Sequence, residues 1–158
     1  MTKKLFVLRH AQSAGKQSRQ PDYDRDLTVE GEAKAKALGQ KIKKENYDID
    51  LILSSAATRT RHTVASVNEI LQLTSEKIHY KKELYDAMLQ DWIAEIHKLP
   101  ADLRTVMLVG HNPGLSMLAT NFHNTIVDLE PCELIAFEFD VNSWEEIENK
   151  GKEILNIK

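Results

Sequence analysis

The 158-residue sequence has a single cysteine, Cys132, so no disulfide can close within the chain and no thiolate cluster can hold a metal. It lacks any apolar run long enough to cross a membrane. The first such run, Leu5-Phe6-Val7-Leu8 after Met1-Thr2-Lys3-Lys4, has the length of a strand and is too short for the core of a signal peptide. Charge of one sign is also scarce: 21 Lys and Arg stand against 24 Asp and Glu, a formal net charge of −3. That balance argues against a nucleic-acid-binding surface and leaves room only for a local cationic pocket. His62, His79, His97 and His123 show no pairing at metal-ligand spacing, so no metal site is predicted and these residues are expected at the surface or in packing. Repeats, low-complexity tracts and linkers are absent. The length suffices for one solid core. Together these features predict one soluble, cytoplasmic domain over residues 1–158 with no membrane or nucleic-acid partner. Cys132, followed by Glu133-Leu134-Ile135-Ala136-Phe137, is expected as a core thiol.

What is present alternates. Leu5 to Leu8 forms a buried strand, and residues 28 to about 46 form a helix with Ala33, Ala37, Leu38 and Ile42 at helical spacing. Thr28 is placed as its N-cap and Glu30 in its first turn. Leu51-Ile52-Leu53 is a second strand, followed after Ser54-Ser55 by a helix to about Leu73 with Val64, Val67 and Leu71 on one face. A weaker strand over Lys77 to Tyr80, a helix from Asp86 to about Lys98 and a strand over Thr105 to Val109 follow in order. Leu89, Trp92, Ile93 and Ile96 make a core stripe on that helix. A further helix after Pro113, a strand over Leu134 to Phe139 and a short edge strand near Glu153 to Asn156 complete the chain. The order predicts an α/β fold, a three-layer α/β/α sandwich with a mostly parallel central sheet.

In such folds ligands bind beyond the carboxyl ends of the strands. Three polar constellations fall there: Arg9-His10 after the first strand, Ser54-Ser55 with Arg59 after the second, and Gly110-His111-Asn112-Pro113-Gly114 after the strong later one. A guanidinium beside an imidazole joins an anion clamp to a possible nucleophile, which suits phosphoryl chemistry without a metal or other cofactor. Asn112 is suited to an N-cap and Pro113 to the first helical position, so a helix begins just behind His111 and its amide groups favour an anion. Arg59 and Arg61 point in nearly opposite directions on one helix, and periodicity leaves open which of them faces the site.

Arg9-His10-Ala11 resembles the Arg-His-Gly signature of the histidine phosphatase superfamily, which includes phosphoglycerate mutases and acid phosphatases. Asp24-Arg25-Asp26-Leu27-Thr28 with Gly31 and Ala35, Leu53-Ser54-Ser55-Ala56-Ala57-Thr58-Arg59 with Thr63, and Gly110-His111-Asn112 resemble its further motifs in the same order. The short length, the Arg-His-Ala-Gln-Ser variant and Ser143-Trp144 look most like the SixA-type phosphohistidine phosphatases. The resemblance implies a phosphoglycerate mutase-like fold. It also implies His10 as nucleophile, with Arg9, Arg59 and His111 holding the phosphoryl group, and thereby selects Arg59 over Arg61. Like-charge repulsion from the arginines should disfavour the protonated form of His10.

Ser13 keeps a serine that phosphoglycerate mutases have, whereas Lys16 stands where they have an asparagine. Ser13 and Asn112 are candidates for substrate binding. Glu83 and Asp86 are the nearby candidates for a general acid, with a surface role as the alternative for each. A phosphohistidine's imidazole can leave neutral without such an acid, so the absence of a firm candidate leans toward a P–N substrate. The expected partner is therefore a phosphorylated protein, a histidine-phosphotransfer domain. The alternatives are a small phosphomonoester such as a sugar phosphate, or an inert module that binds phosphoproteins. Lys16, Arg19 and Arg25 in the loop from Gln12 to Asp26 could steer an acidic partner or simply be solvated.

Overall fold

A computed structural model describes residues 2–15 and 19–158. Strands β1 (Lys3–Arg9), β2 (Leu51–Ser55), β3 (Ile78–Lys81), β4 (Thr105–Gly110), β5 (Leu134–Phe139) and β6 (Lys152–Ile157) form one sheet in the order β3-β2-β4-β1-β5-β6. The pairings of β1 with β4, β4 with β2 and β2 with β3 are parallel, while those of β5 with β1 and with β6 are antiparallel. Helices α1 (Val29–Lys44), α2 (Thr58–Leu71), α3 (Leu89–His97) and α4 (Gly114–His123) fill the connections.

The centre of strand β1, Leu5 to Leu8, is an unbroken apolar run because both of its faces are covered. Leu5 and Val7 belong to a core cluster with Trp92 and Ile96 of α3 and Leu115, Leu118 and Phe122 of α4. Phe6 and Leu8, one residue out of phase, join Leu38 and Ile42 of α1 and Val64 and Val67 of α2. Each such side chain taken from water contributes about 2 kcal/mol, so the two faces hold the layers from both sides. Leu89 and Ile93 pack partly buried against the first cluster.

Several boundaries differ from the sequence expectation. On α1 the buried residues are Gly31, Ala35, Leu38, Gly39 and Ile42, with Ala33 exposed and Ala37 half-buried. The small residues at 31, 35 and 39 are buried because backbone approaches there: a Cβ on Gly39 would lie 2.8 Å from the Val67 carbonyl oxygen of α2. The Thr28 cap is present, its hydroxyl accepting from the Gly31 amide at 2.9 Å. Helix α2 stops at Leu71, where the Asn68 carboxamide accepts from the Leu73 amide at 2.8 Å and Gln72 turns left-handed at φ 56°. Helix α3 begins at Leu89 rather than Asp86, since the Asp91 carboxylate takes the Met88 amide at 2.9 Å and residues 82–84 form a separate 3-10 turn. At α4 the cap is Pro113, one residue later than expected, although the Asn112 carboxamide still accepts from Ser116, with its hydroxyl at 2.6 Å. The charged tail is anchored by Trp144, fully buried, whose indole donates to the Leu103 carbonyl at 3.0 Å. Cys132 is buried just before β5, and burial pushes its thiol up to about 11.

Candidate active site

The parallel pairings bring three strand ends to one edge. Arg9 lies in register with Gly110 and Ser54 with Val109, and the His10 amide donates to the Gly110 carbonyl at 3.1 Å. The residues that follow β1, β4 and β2 therefore meet, although each follows a different part of the sequence.

His10 is 6 % exposed. Its Nδ1 is 2.7 Å from the Ala11 carbonyl oxygen. A carbonyl can only accept, so Nδ1 carries the proton and Nε2 keeps its lone pair. Arg59 Nε donates toward that lone pair at 3.4 Å. The imidazole is pushed down to about 4, first by burial and then by the charges of Arg59, Arg9 and Arg25, against the Ala11 hydrogen bond that favours protonation. Desolvation thus outweighs the like-charge repulsion expected from the sequence. Thr63 fixes the next residue: its hydroxyl accepts from the Ala11 amide at 3.0 Å and donates to the Arg59 carbonyl at 2.6 Å.

The structure separates the two arginines of α2. Arg59 is buried against His10, whereas Arg61 donates to the Ala56 carbonyl at 2.9 Å and lies 4.3 Å over the Tyr80 ring. Arg9 donates through Nη1 to the Leu129 carbonyl at 2.9 Å, and its charge bears on His10, His111 and Arg59. His111 stands with its ring centroid 5.3 Å from that of His10 and its Nε2 2.9 Å from Ser55 Oγ. It is held down to about 3, by burial first and then by His10 and Arg59. Arg9 Nε and His111 Nδ1 are buried and have no hydrogen-bond partner among the described residues. Two such nitrogens beside a lone-pair nitrogen and a guanidinium are groups that an anion's oxygens would satisfy.

Two residues that the sequence did not single out complete the site. Asp22, in the loop after β1, accepts from Arg59 through its backbone oxygen at 2.8 Å and its carboxylate at 3.1 Å. Tyr85 donates its hydroxyl to the same carboxylate, and its ring stands edge-on to His111 at 5.3 Å. The Tyr85 hydrogen bond, followed by Arg25 and Arg59, holds the Asp22 carboxyl well below the usual carboxylate range against the cost of desolvation. Neither residue has a periodic signal, and the only hint was the position of Tyr85 between the acid candidates.

The remaining candidates are engaged elsewhere or exposed. Ser13 Oγ accepts from Arg25 at 3.0 Å, and Arg25 also binds Asp22 at 2.9 Å and the Ala14 carbonyl at 2.9 Å, so Arg25 organises the loop. Asn112 donates to the Leu129 carbonyl at 2.9 Å, the oxygen that Arg9 also holds. Glu83, Asp86 and Arg19 are exposed, and Lys16 lies outside the described residues. The other histidines serve as surface or packing groups: His97, for one, pairs with the Ile147 carbonyl at 2.7 Å.

A family model described as the histidine phosphatase superfamily (branch 1) matches residues 5–105, a stretch that holds Arg9, His10 and Arg59. An uncharacterized chloroplastic protein of Arabidopsis thaliana is 30% identical over 155 residues, 92% of this chain and 71% of its own length. The crystal structure of a SixA from Agrobacterium tumefaciens, described as a phosphohistidine phosphatase by assignment, superposes with a TM-score of 0.85 at 24% identity, over 99% of this chain and 97% of that one. A mycobacterial glucosyl-3-phosphoglycerate phosphatase superposes at 0.71 with 15% identity, over 97% of each chain. Among the described residues no helix is long and apolar enough to cross a membrane.

Proposed function

The chain belongs to the histidine phosphatase superfamily and has the phosphoglycerate mutase-like α/β fold, and we propose that it is a metal-independent phosphatase acting through a phosphohistidine intermediate, with a phosphohistidine-bearing protein as substrate. The observation that carries this reading is the state of His10. Its Nδ1 proton is committed to the Ala11 carbonyl, and its Nε2 lone pair is held among cations by burial and by Arg59. In this reading Nε2 attacks phosphorus, the Nε2–P bond forms, and the bond to the leaving group breaks. Water then attacks phosphorus, releasing inorganic phosphate and restoring His10. Arg9 and Arg59 neutralise the phosphoryl charge and His111 donates a further hydrogen bond to its oxygens, which is most of what phosphoryl transfer asks of a protein.

The carboxyl groups bear on the choice of leaving group. Asp22 is the carboxyl bound to Arg59, and it is held ionised by Tyr85, Arg25 and Arg59. Glu83 and Asp86 are exposed. An alkoxide leaving group would want a protonated acid at the site, whereas the imidazole of a phosphohistidine leaves neutral when its other nitrogen is protonated. That asymmetry favours a P–N substrate on a phosphotransfer protein.

The test is hydrolysis of a phosphorylated histidine-phosphotransfer domain and of a panel of sugar phosphates, with His10→Ala as control and acid-labile label on His10 as the second readout. Turnover of the phosphodomain, loss in His10→Ala and label on wild type are expected. Preference for sugar phosphates would overturn the substrate assignment, and full activity of His10→Ala would overturn the mechanism.

A further inference from the structure

The two site histidines are both neutral at ordinary pH, so the tautomer of each decides what it can do. For His10 the Ala11 carbonyl settles the matter. For His111 the neighbour is a hydroxyl, which can donate or accept, and its hydrogen bonds must be counted.

Ser55 is fully buried at the end of β2. Its Oγ accepts from the Ala57 amide at 3.2 Å and lies 2.9 Å from His111 Nε2. Among the described residues no other acceptor receives the Ser55 hydroxyl proton. If His111 carried its proton on Nε2, Ser55 would face two donors, its own O–H would be unmade, and Nδ1 would be a buried acceptor without a donor. If the proton is on Nδ1, the Ser55 O–H is satisfied by Nε2, and one group remains unpaired, the Nδ1–H. Buried polar groups are rarely left unmade, and the second arrangement leaves fewer.

We propose that the Ser55 hydroxyl donates to His111 Nε2 and holds His111 as its Nδ1–H tautomer, making Ser55 the positioning residue that turns His111 into a hydrogen-bond donor for a phosphoryl oxygen. The two histidines then share one tautomer and opposite tasks: His10 offers the Nε2 lone pair and His111 the Nδ1 proton. Tyr85, edge-on to the His111 ring, keeps that ring in place. The donor task rests on the phosphatase reading above, but the tautomer does not.

The experiment is long-range proton–nitrogen correlation spectroscopy of 15N-labelled protein at pH 7, read at His111, beside steady-state kinetics on the phosphorylated phosphotransfer domain. Wild type should show a protonated Nδ1 and an unprotonated Nε2. Ser55→Ala should populate the Nε2–H form and lower kcat/KM by about 10- to 100-fold, by analogy with the loss of residues that orient metal-bound histidines. Ser55→Thr, which keeps the hydroxyl, should restore both. An Nε2–H His111 in wild type would overturn the proposal, as would an unchanged tautomer in Ser55→Ala. If Ser55→Ala does not fold, the wild-type spectrum alone decides. A wild type with the Nδ1–H tautomer and no hydrolysis would sink the phosphatase reading and leave the assignment of Ser55 standing.

Discussion

Asp22 grips Arg59 by its outer edge, taking Nη1 on its backbone oxygen at 2.8 Å and Nη2 on its carboxylate at 3.1 Å, while Nε of the same guanidinium points at His10 Nε2. The carboxylate thus fixes which side of Arg59 faces His10, the proposed nucleophile. Asp22→Ala is expected to lower kcat by about tenfold, a partial loss of one preorganised donor, with a smaller change in KM. Steady-state kinetics on the phosphorylated domain checks this, and an unchanged kcat would show that Arg59 orients itself.

The two arginines of α2 should behave in opposite ways. Arg59→Ala removes a buried charge beside His10 and is expected to cost about 3 kcal/mol of transition-state stabilisation, on the order of a hundredfold in kcat/KM. Arg61→Ala loses a contact over Tyr80 worth about 0.5–1 kcal/mol of stability and should leave kcat/KM within a few-fold of wild type. Reversal of that order would mean that the catalytic pocket lies on the other side of the helix.

Acid should cost stability before it costs much else. His10 and His111 are held at about 4 and about 3 in the folded protein, against roughly 6.5 in an unfolded chain. Between those values the unfolded state binds more protons, so stability is fully present above about pH 7 and is lost as pH falls. His10 alone should account for a loss on the order of 3 kcal/mol by pH 4. Urea midpoints measured from pH 7 to pH 4.5 should fall in wild type and fall less in His10→Asn. The same low value predicts that kcat/KM keeps its level through pH 6.5, where an ordinary histidine would lose half its neutral form.

Gly31 admits the backbone on which the site rests. A Cβ there would lie 2.3 Å from the Gln12 carbonyl oxygen, which accepts the Thr28 amide at 3.0 Å and so ties α1 to the segment after His10. Gly31→Ala is expected to destabilise the fold by about 2 kcal/mol through overpacking, whereas Gly15→Ala, whose added Cβ would meet nothing within 4 Å among the described residues beyond its chain neighbours, should stay within about 0.5 kcal/mol of wild type. Thermal unfolding of the two variants separates these outcomes.

Much of the fold was legible because its signals are local. An apolar run such as Leu5 to Leu8 declares a strand covered on both faces, and Thr28 declares a helix start through its own hydrogen bond. The burial of Ala35 rather than Ala33 on α1 was not legible, because that face is set by tertiary neighbours: Gly39 meets the α2 backbone, Ala35 packs in the cluster with Val64 and Val67, and Gly31 meets the backbone of Gln12. The late start of α3 depended on a single side chain, Asp91, reaching back to Met88.

By itself the sequence determined the order of strands and helices and placed Arg9, His10, Ser55 and His111 at strand ends, since hydrophobic spacing and capping act over a few residues. It also carried the motifs that mark the family. Periodicity left the two arginines of α2 open and the family motif pointed to Arg59, which the structure places against His10; only the tertiary structure decided that Asp22 and Tyr85, 63 residues apart, share a hydrogen bond beside it. The reason is geometric. Parallel strands bring distant carboxyl ends to one edge, and what meets there depends on register, burial and the path of a loop, none of which leaves a periodic mark in the chain.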